Sequence, residues 1–186
     1  MNHDHCHSSN KKNISGGGPD KFLLGIVIVT VLILALAVFF GTKMGETTQV
    51  TADSQVTMSV DSNRYDWGTI DINGGMVSKS FAIENKGASP LKLYEVKTSC
   101  MCTTAQLKTS SQASPKFKMH EKNSYVFEVN PGETAELIVE FDPAFHGPSG
   151  TGPINRTITM NTNDASNPTL TFQLAANVVK KLGKYE

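Results

Sequence analysis

Cysteine is scarce in this chain, three in 186 residues, which is too few for the disulfide framework of a small secreted fold, so any folded domain is held by a hydrophobic core. An excess of one charge is also missing. Seventeen Lys and Arg balance 17 Asp and Glu, and no basic stripe runs through the C-terminal part, which excludes the electrostatic footprint of a nucleic-acid binder. The single tryptophan, Trp67, precedes Cys100 and Cys102, and those two are too close in sequence to pin two sheets together. The antibody pattern of a core disulfide packed on tryptophan is therefore absent. No amphipathic helix of useful length appears. Neither does a Gly-x-Ser-x-Gly elbow, a phosphate loop or a His-Glu-x-x-His pair, and His120 and His146 fall in separate loops. The expectation is a non-enzyme.

What the chain does have is one long apolar run. Residues 22–41, FLLGIVIVTVLILALAVFFG, carry no charge, and twenty helical residues rise about 30 Å, the thickness of a bilayer's hydrocarbon core. A helix buried in a soluble core seldom runs so far without a polar face. A cleaved signal peptide is the nearest alternative. Its apolar region is usually about 7–15 residues, and the small-x-small triplet here, Ala35-Leu36-Ala37, lies inside the run. Lys11, Lys12 and Lys21 precede the segment and Lys43 alone follows it closely, so the positive-inside bias puts the N-terminus in the cytoplasm. The expected protein is single-pass, in contact with the lipid bilayer through residues 22–41, with its remaining C-terminal part extracytoplasmic. Cys6 is then separated from Cys100 and Cys102 by the membrane.

Residues 1–21 read as a disordered, His-rich cytoplasmic tail, in which His3, His5 and His7 stand beside Asp4 and Cys6. Imidazole and thiolate are ligands for zinc, nickel or copper, although this tail offers no scaffold to fix them. Residues 42–54 form a tether without periodicity, and residues 180–186 a solvated tail. Residues 55–179 alternate with period two: Val56, Met58 and Val60; Val77, Phe81 and Ile83; Ala135, Leu137, Val139 and Phe141; Leu170, Phe172, Leu174, Ala176 and Val178. Turn signals such as Asn73-Gly74-Gly75, Asn85-Lys86-Gly87 and Asn130-Pro131-Gly132 separate them. The pattern predicts an all-β fold, an Ig-like antiparallel β-sandwich of seven to eight strands, after one transmembrane α-helix. Trp67 is expected to plug one end of its core.

Cys100 and Cys102 are two positions apart. On an extended strand both sulfurs leave one face, with Cα atoms about 6–7 Å apart. Several chemistries stay open at that spacing. A disulfide needs a local kink; two thiolates suit Cu(I), with Met101, Met119 or His120 as auxiliary ligands; or one cysteine packs in the core and the other in a turn. Zinc is disfavoured because only two ligands are local. Thr98, Ser99, Thr103 and Thr104 supply no cation to favour a thiolate.

Several short strings occur in a telling order: Asp66-Trp67-Gly68-Thr69-Ile70, Asn85-Lys86-Gly87 with Pro90-Leu91, Ser99-Cys100-Met101-Cys102-Thr103, Pro131-Gly132-Glu133, Phe141-Asp142-Pro143 and Thr162-Asn163-Asp164. In these the chain resembles a widespread bacterial family of small Ig-like domains of unknown function, similar to the Hydin and ASH types, over residues 60–178. The resemblance implies an exported or surface-tethered sandwich, here on a bacterial inner membrane with its head in the periplasm, and no known activity. Two departures stand out: Met101 replaces the usual glycine between the cysteines, and residues 109–124 look inserted, as an edge hairpin or a protruding loop. The layout is also similar to that of a copper chaperone for cytochrome oxidase assembly, which has Phe between and after its cysteines where this chain does not.

Three functions are therefore expected in order: a membrane-tethered module binding protein partners, as in an accessory subunit of a membrane complex; a Cu(I) metallochaperone using Cys100 and Cys102; and a thiol-redox protein.

Overall fold

The computed structural model describes residues 21–43, 50–119 and 123–181. The chain divides into two compact units, Met1–Thr47 and Thr48–Glu186. In the first, the apolar run forms helix α1, Lys21–Lys43. An 18-residue stretch of it, Lys21–Val38, is long and apolar enough to cross a membrane, and its residues are exposed.

The second unit is a β-sandwich of nine strands: β1 (Met58–Val60), β2 (Arg64–Asp71), β3 (Val77–Asn85), β4 (Leu91–Thr98), β5 (Thr103–Lys108), β6 (Val126–Val129), β7 (Thr134–Phe141), β8 (Gly152–Thr162) and β9 (Thr169–Val179). One sheet has the order β1-β3-β7-β5 and the other β2-β9-β8-β4-β6. The expected sandwich is present, with two corrections. It has nine strands instead of seven or eight, and β2 runs parallel to β9 within an otherwise antiparallel framework. After β1 pairs with β3, the chain crosses to the other sheet over three residues without reversing. No hairpin joins β2 to β9, so nothing forces them antiparallel.

The alternating rows meet between the sheets. Phe81 and Ile83 of β3 and Leu137 and Val139 of β7 face Leu91, Leu93, Ile158, Met160, Phe172 and Leu174 of the other sheet, all of them buried. The Phe81 and Phe172 rings, from opposite sheets, lie 4.9 Å apart. Each such side chain contributes about 1.5–3 kcal/mol by leaving water, which is how the fold stands without a staple between its sheets.

The inserted stretch is an edge hairpin as far as it is described. Phe117 exchanges both backbone hydrogen bonds with Ala105 of β5 (2.7 and 3.0 Å), Ser114 N donates to the Leu107 carbonyl at 2.8 Å, and Phe117 is buried. Lys116 pairs with Glu140 of β7. That hydrogen bond, opposed by partial burial and helped by the Thr104 hydroxyl, holds the Glu140 carboxyl below its usual range.

The sandwich has two distinct ends. Where the chain enters, Asp53 N donates to the Asn163 carbonyl at 2.8 Å, and three of the strings noted in the sequence meet. Buried Asn85 donates to the carbonyls of Ser89 and Val129 (both 2.9 Å) and accepts from Gly87 N. Gly132 N donates to the Asn85 carbonyl. Asn163 accepts from Lys92 N at 2.7 Å and donates to the Pro90 carbonyl at 3.0 Å. β3 runs into this end and β4 away from it, nine and eight residues long, or about 25–30 Å. At the opposite end lie the cysteines.

Candidate functional site

β4 belongs to one sheet and β5 to the other, so residues 99–102 form a corner where the chain changes sheets. A turn is the consequence. Thr103 N donates to the Cys100 carbonyl at 3.2 Å, and the buried Thr98 hydroxyl donates to the same carbonyl at 3.0 Å. Ser99 is tied to Thr157 of β8 in both directions, backbone to backbone and through its hydroxyl, at 2.9 Å each. Asp142 N donates to the Cys102 carbonyl at 2.9 Å. Both sheets therefore fix the corner.

The two cysteines lie in a turn and not on an extended strand. The turn brings their Cα atoms to 5.3 Å and the sulfurs are joined as a disulfide, the local kink being supplied by the change of sheet. Cys102 is 3% exposed and packs with Ile72, Phe141 and Val178; Cys100 is half-buried, and Met101 stands out at 60% exposure. One cysteine in the core and one in the turn is thus also part of the outcome.

Two side chains distant in sequence complete the corner. His146, from the connection between β7 and β8, places Nε2 at 3.5 Å from Cys100 Sγ. Arg156 of β8 donates from Nε to Cys102 Sγ at 3.2 Å and from Nη1 to the Asn155 carbonyl at 2.9 Å. Its guanidinium lies over the Phe141 ring, 5.3 Å from the centroid. Phe141 in turn stacks on Trp67 at 5.9 Å, and Trp67 closes this end of the core. Burial pushes the Arg156 guanidinium below its usual range, and among the described residues no carboxylate pairs with it. The expectation that no cation serves the cysteines is therefore corrected. It considered chain neighbours, whereas the cation arrives from β8, 54 residues later.

Cys100, Cys102 and His146 keep one ligand atom each within 4.8 Å of one another. Of the auxiliary ligands expected from the sequence, Met119 is half-buried on the inserted stretch, and His120 lies outside the described residues. So do His3, His5, Cys6 and His7.

Comparison with known proteins supports the architecture. The HYDIN/CFA65/VesB-like Ig-like domain model matches residues 56–176. The chain belongs to that family. This HYDIN/CFA65/VesB-like domain is similar to a Porphyromonas gingivalis W83 protein of unknown function, at 24% identity over 69% of this chain and 50% of that one, with a TM-score of 0.51. It also resembles PapD-like domain 7 of human CEP192, an ASH/PapD-like domain, at 13% identity over 73% of this chain and 94% of that domain, with a TM-score of 0.45. The chain thus spans half the length of the Porphyromonas structure. The likeness to the Porphyromonas structure shows the fold. No curated protein matches the sequence. An Ig-like sandwich of this family fits a binding or scaffold module.

Proposed function

We propose that this chain is a single-pass, membrane-anchored member of the bacterial Ig-like domains of unknown function, with a periplasmic head that binds protein partners as an accessory subunit of a membrane complex. The head acts as a binding or scaffold module, not as a hydrolase or transferase. The observation that carries this reading is the exposed apolar surface of α1: among the described residues, every one from Lys21 to Val38 is exposed, and lipid is the solvent such a surface fits. The head supplies contact surface. β2 is an eight-residue edge strand with largely exposed side chains. It borders an open groove of about 290 Å³ lined by Arg64, Tyr65, Asp66, Asn155 and Gln173, where Tyr and Arg are residue types favoured at interface centres.

The full chain, extracted in mild detergent, is expected to co-purify with other membrane subunits in fixed ratio, and a reporter after Glu186 to be active in the periplasm alone. A solitary chain, or a reporter active in the cytosol, overturns the reading.

A second reading, Cu(I) binding by the reduced cysteine pair, is favoured by His146. Its Nε2 adds a third donor to the two sulfurs within 4.8 Å, a soft set suited to Cu(I). Titration of the reduced chain with Cu(I) checks it, with binding expected to fall on Cys100→Ser, Cys102→Ser and His146→Ala.

A further inference from the structure

The cysteine corner is chemically asymmetric. Cys100 Sγ belongs to the half-buried, solvent-facing partner and has an imidazole nitrogen beside it. Cys102 Sγ is buried and receives the Nε–H of a guanidinium. That guanidinium is partly desolvated and has no carboxylate partner among the described residues. A cation in a half-buried position with no counter-anion is costly, and the group it points at becomes an anion when the disulfide opens. A charge-assisted hydrogen bond then forms where a weak one existed.

We infer that Cys100, Cys102, Arg156 and His146 form a thiol–disulfide exchange centre acting on protein dithiols, with Cys100 the sulfur attacked and Cys102 the leaving thiolate. A substrate thiolate attacks Cys100 Sγ. The new substrate–Cys100 disulfide forms as the Cys100–Cys102 bond breaks, and the electron pair departs on Cys102 Sγ, held by Arg156. A second thiolate of the same substrate attacks the substrate sulfur of the mixed disulfide and expels Cys100 as a thiolate, which is protonated from His146 or water. The substrate dithiol is oxidised to a disulfide and the corner reduced to the Cys100 thiol and the Cys102 thiolate, two electrons passing in all. The reverse sequence reduces a substrate disulfide. Rates of such exchange rise as the leaving thiol becomes more acidic, and a neighbouring cation makes it so. Met101, next in the chain to Cys100, and Phe145, whose ring lies 5.1 Å from that of His146, are exposed and offer apolar contact to a polypeptide.

Among the described residues, the titratable and charged groups with a contact to the pair are Arg156 from β8 and His146 and Asp142 from the connection after β7, Asp142 through its backbone N–H; its carboxylate accepts from Ala144 N at 2.9 Å. Arg156 is thus the cation placed to act on Cys102.

The test uses the full chain in mild detergent, in a Cys6→Ser background, with dithiothreitol and oxidised glutathione as probes. Opening of the disulfide by dithiothreitol at neutral pH is expected to slow about tenfold in Arg156→Met. In the reduced single-cysteine variants, Cys102→Ser is expected to capture glutathione on Cys100 at least about tenfold faster than Cys100→Ser captures it on Cys102. Adding Arg156→Met to Cys102→Ser should change that capture rate far less than Arg156→Met changes the opening rate, since Cys102 is no longer there to leave; a merely structural role for Arg156 would disturb both reactions alike. Equal capture by the two single-cysteine variants overturns the inference, as does an unchanged opening rate in Arg156→Met. If Arg156→Met does not fold, the capture comparison decides alone. Loss of partner binding without change in these rates would sink the scaffold reading and leave this one standing.

Discussion

The Asp164 carboxylate accepts the backbone N–H of Met58, 106 residues away in sequence, at 3.2 Å. That bond ties the first strand of the sandwich to the β8–β9 turn. Burial of Asp164 pushes its carboxyl up, but hydrogen bonds from Asn167, Ser166 and Met58 outweigh it, and the group sits below the usual carboxylate range. A carboxyl depressed in the folded state contributes stability that is complete above its unfolded pKa and is lost as pH falls through the folded one. Thermal melts between pH 7 and pH 3 are expected to show Asp164→Asn destabilised by about 1–3 kcal/mol at neutral pH, with the gap to the parent narrowing as the solution is acidified. A gap independent of pH would deny Asp164 this role.

Gly87 is needed for space, not for its backbone angle. A Cβ there would lie 2.6 Å from Thr57 N and 2.9 Å from Val56 Cα, and closer still to the Gln55 carbonyl oxygen. Gly87→Ala is expected to cost about 1–3 kcal/mol by overpacking. It should speed hydrogen exchange at the Lys86 and Ala88 amides, which bond to the Thr57 and Gln55 carbonyls. Protection equal to the parent's at both amides would contradict this.

Glu95, in contrast, is a residue the fold strains. Its φ is 51°, left-handed, at the irregularity where the pairing of β4 with β8 shifts between Tyr94 and Lys97. An L-residue there costs about 1–2 kcal/mol. Its carboxylate contacts, Asn161 at 3.1 Å and Lys97 at 3.9 Å, are solvent-exposed and worth little. Glu95→Gly is therefore expected to raise the melting temperature by a few degrees; a fall would mean those contacts outweigh the backbone term.

The inserted stretch should prove part of the core. Phe117→Ala is expected to cost about 3–5 kcal/mol in denaturant unfolding, whereas Lys116→Ala, which breaks a half-exposed ion pair, should cost less than about 1 kcal/mol. Similar small effects from both would make the stretch an appendage.

Much of the sandwich was legible because its rows keep strict phase. Leu170 to Val178 along β9 and Ala135 to Phe141 along β7 name their buried faces without help. β4 hid itself: Leu91 and Leu93 point inward, and so do Val96 and Thr98, so the period slips at Glu95. β5 was masked differently, since it buries Thr103 beside Ala105 and Leu107 and so reads as polar. The turn strings were legible as turns, but not as one interlocked end around Asn85, Asn163 and Asp164, because those bonds span 44 to 106 residues. Cys100 and Cys102 could be named from their spacing. His146 and Arg156 could not, since neither follows a local pattern and only the turn between sheets brings them to the sulfurs.

β9 finishes where the cysteines are, Val178 packing with Cys102 and the Val179 carbonyl bonded to Ile72 N, whereas the polypeptide comes in at Asp53 on the other side of the sandwich. An affinity tag or fluorescent protein joined directly behind Val179 therefore starts at the end that holds the sulfur pair. Handles for pull-down or imaging belong on the upstream side, where they leave that corner open to its visitors.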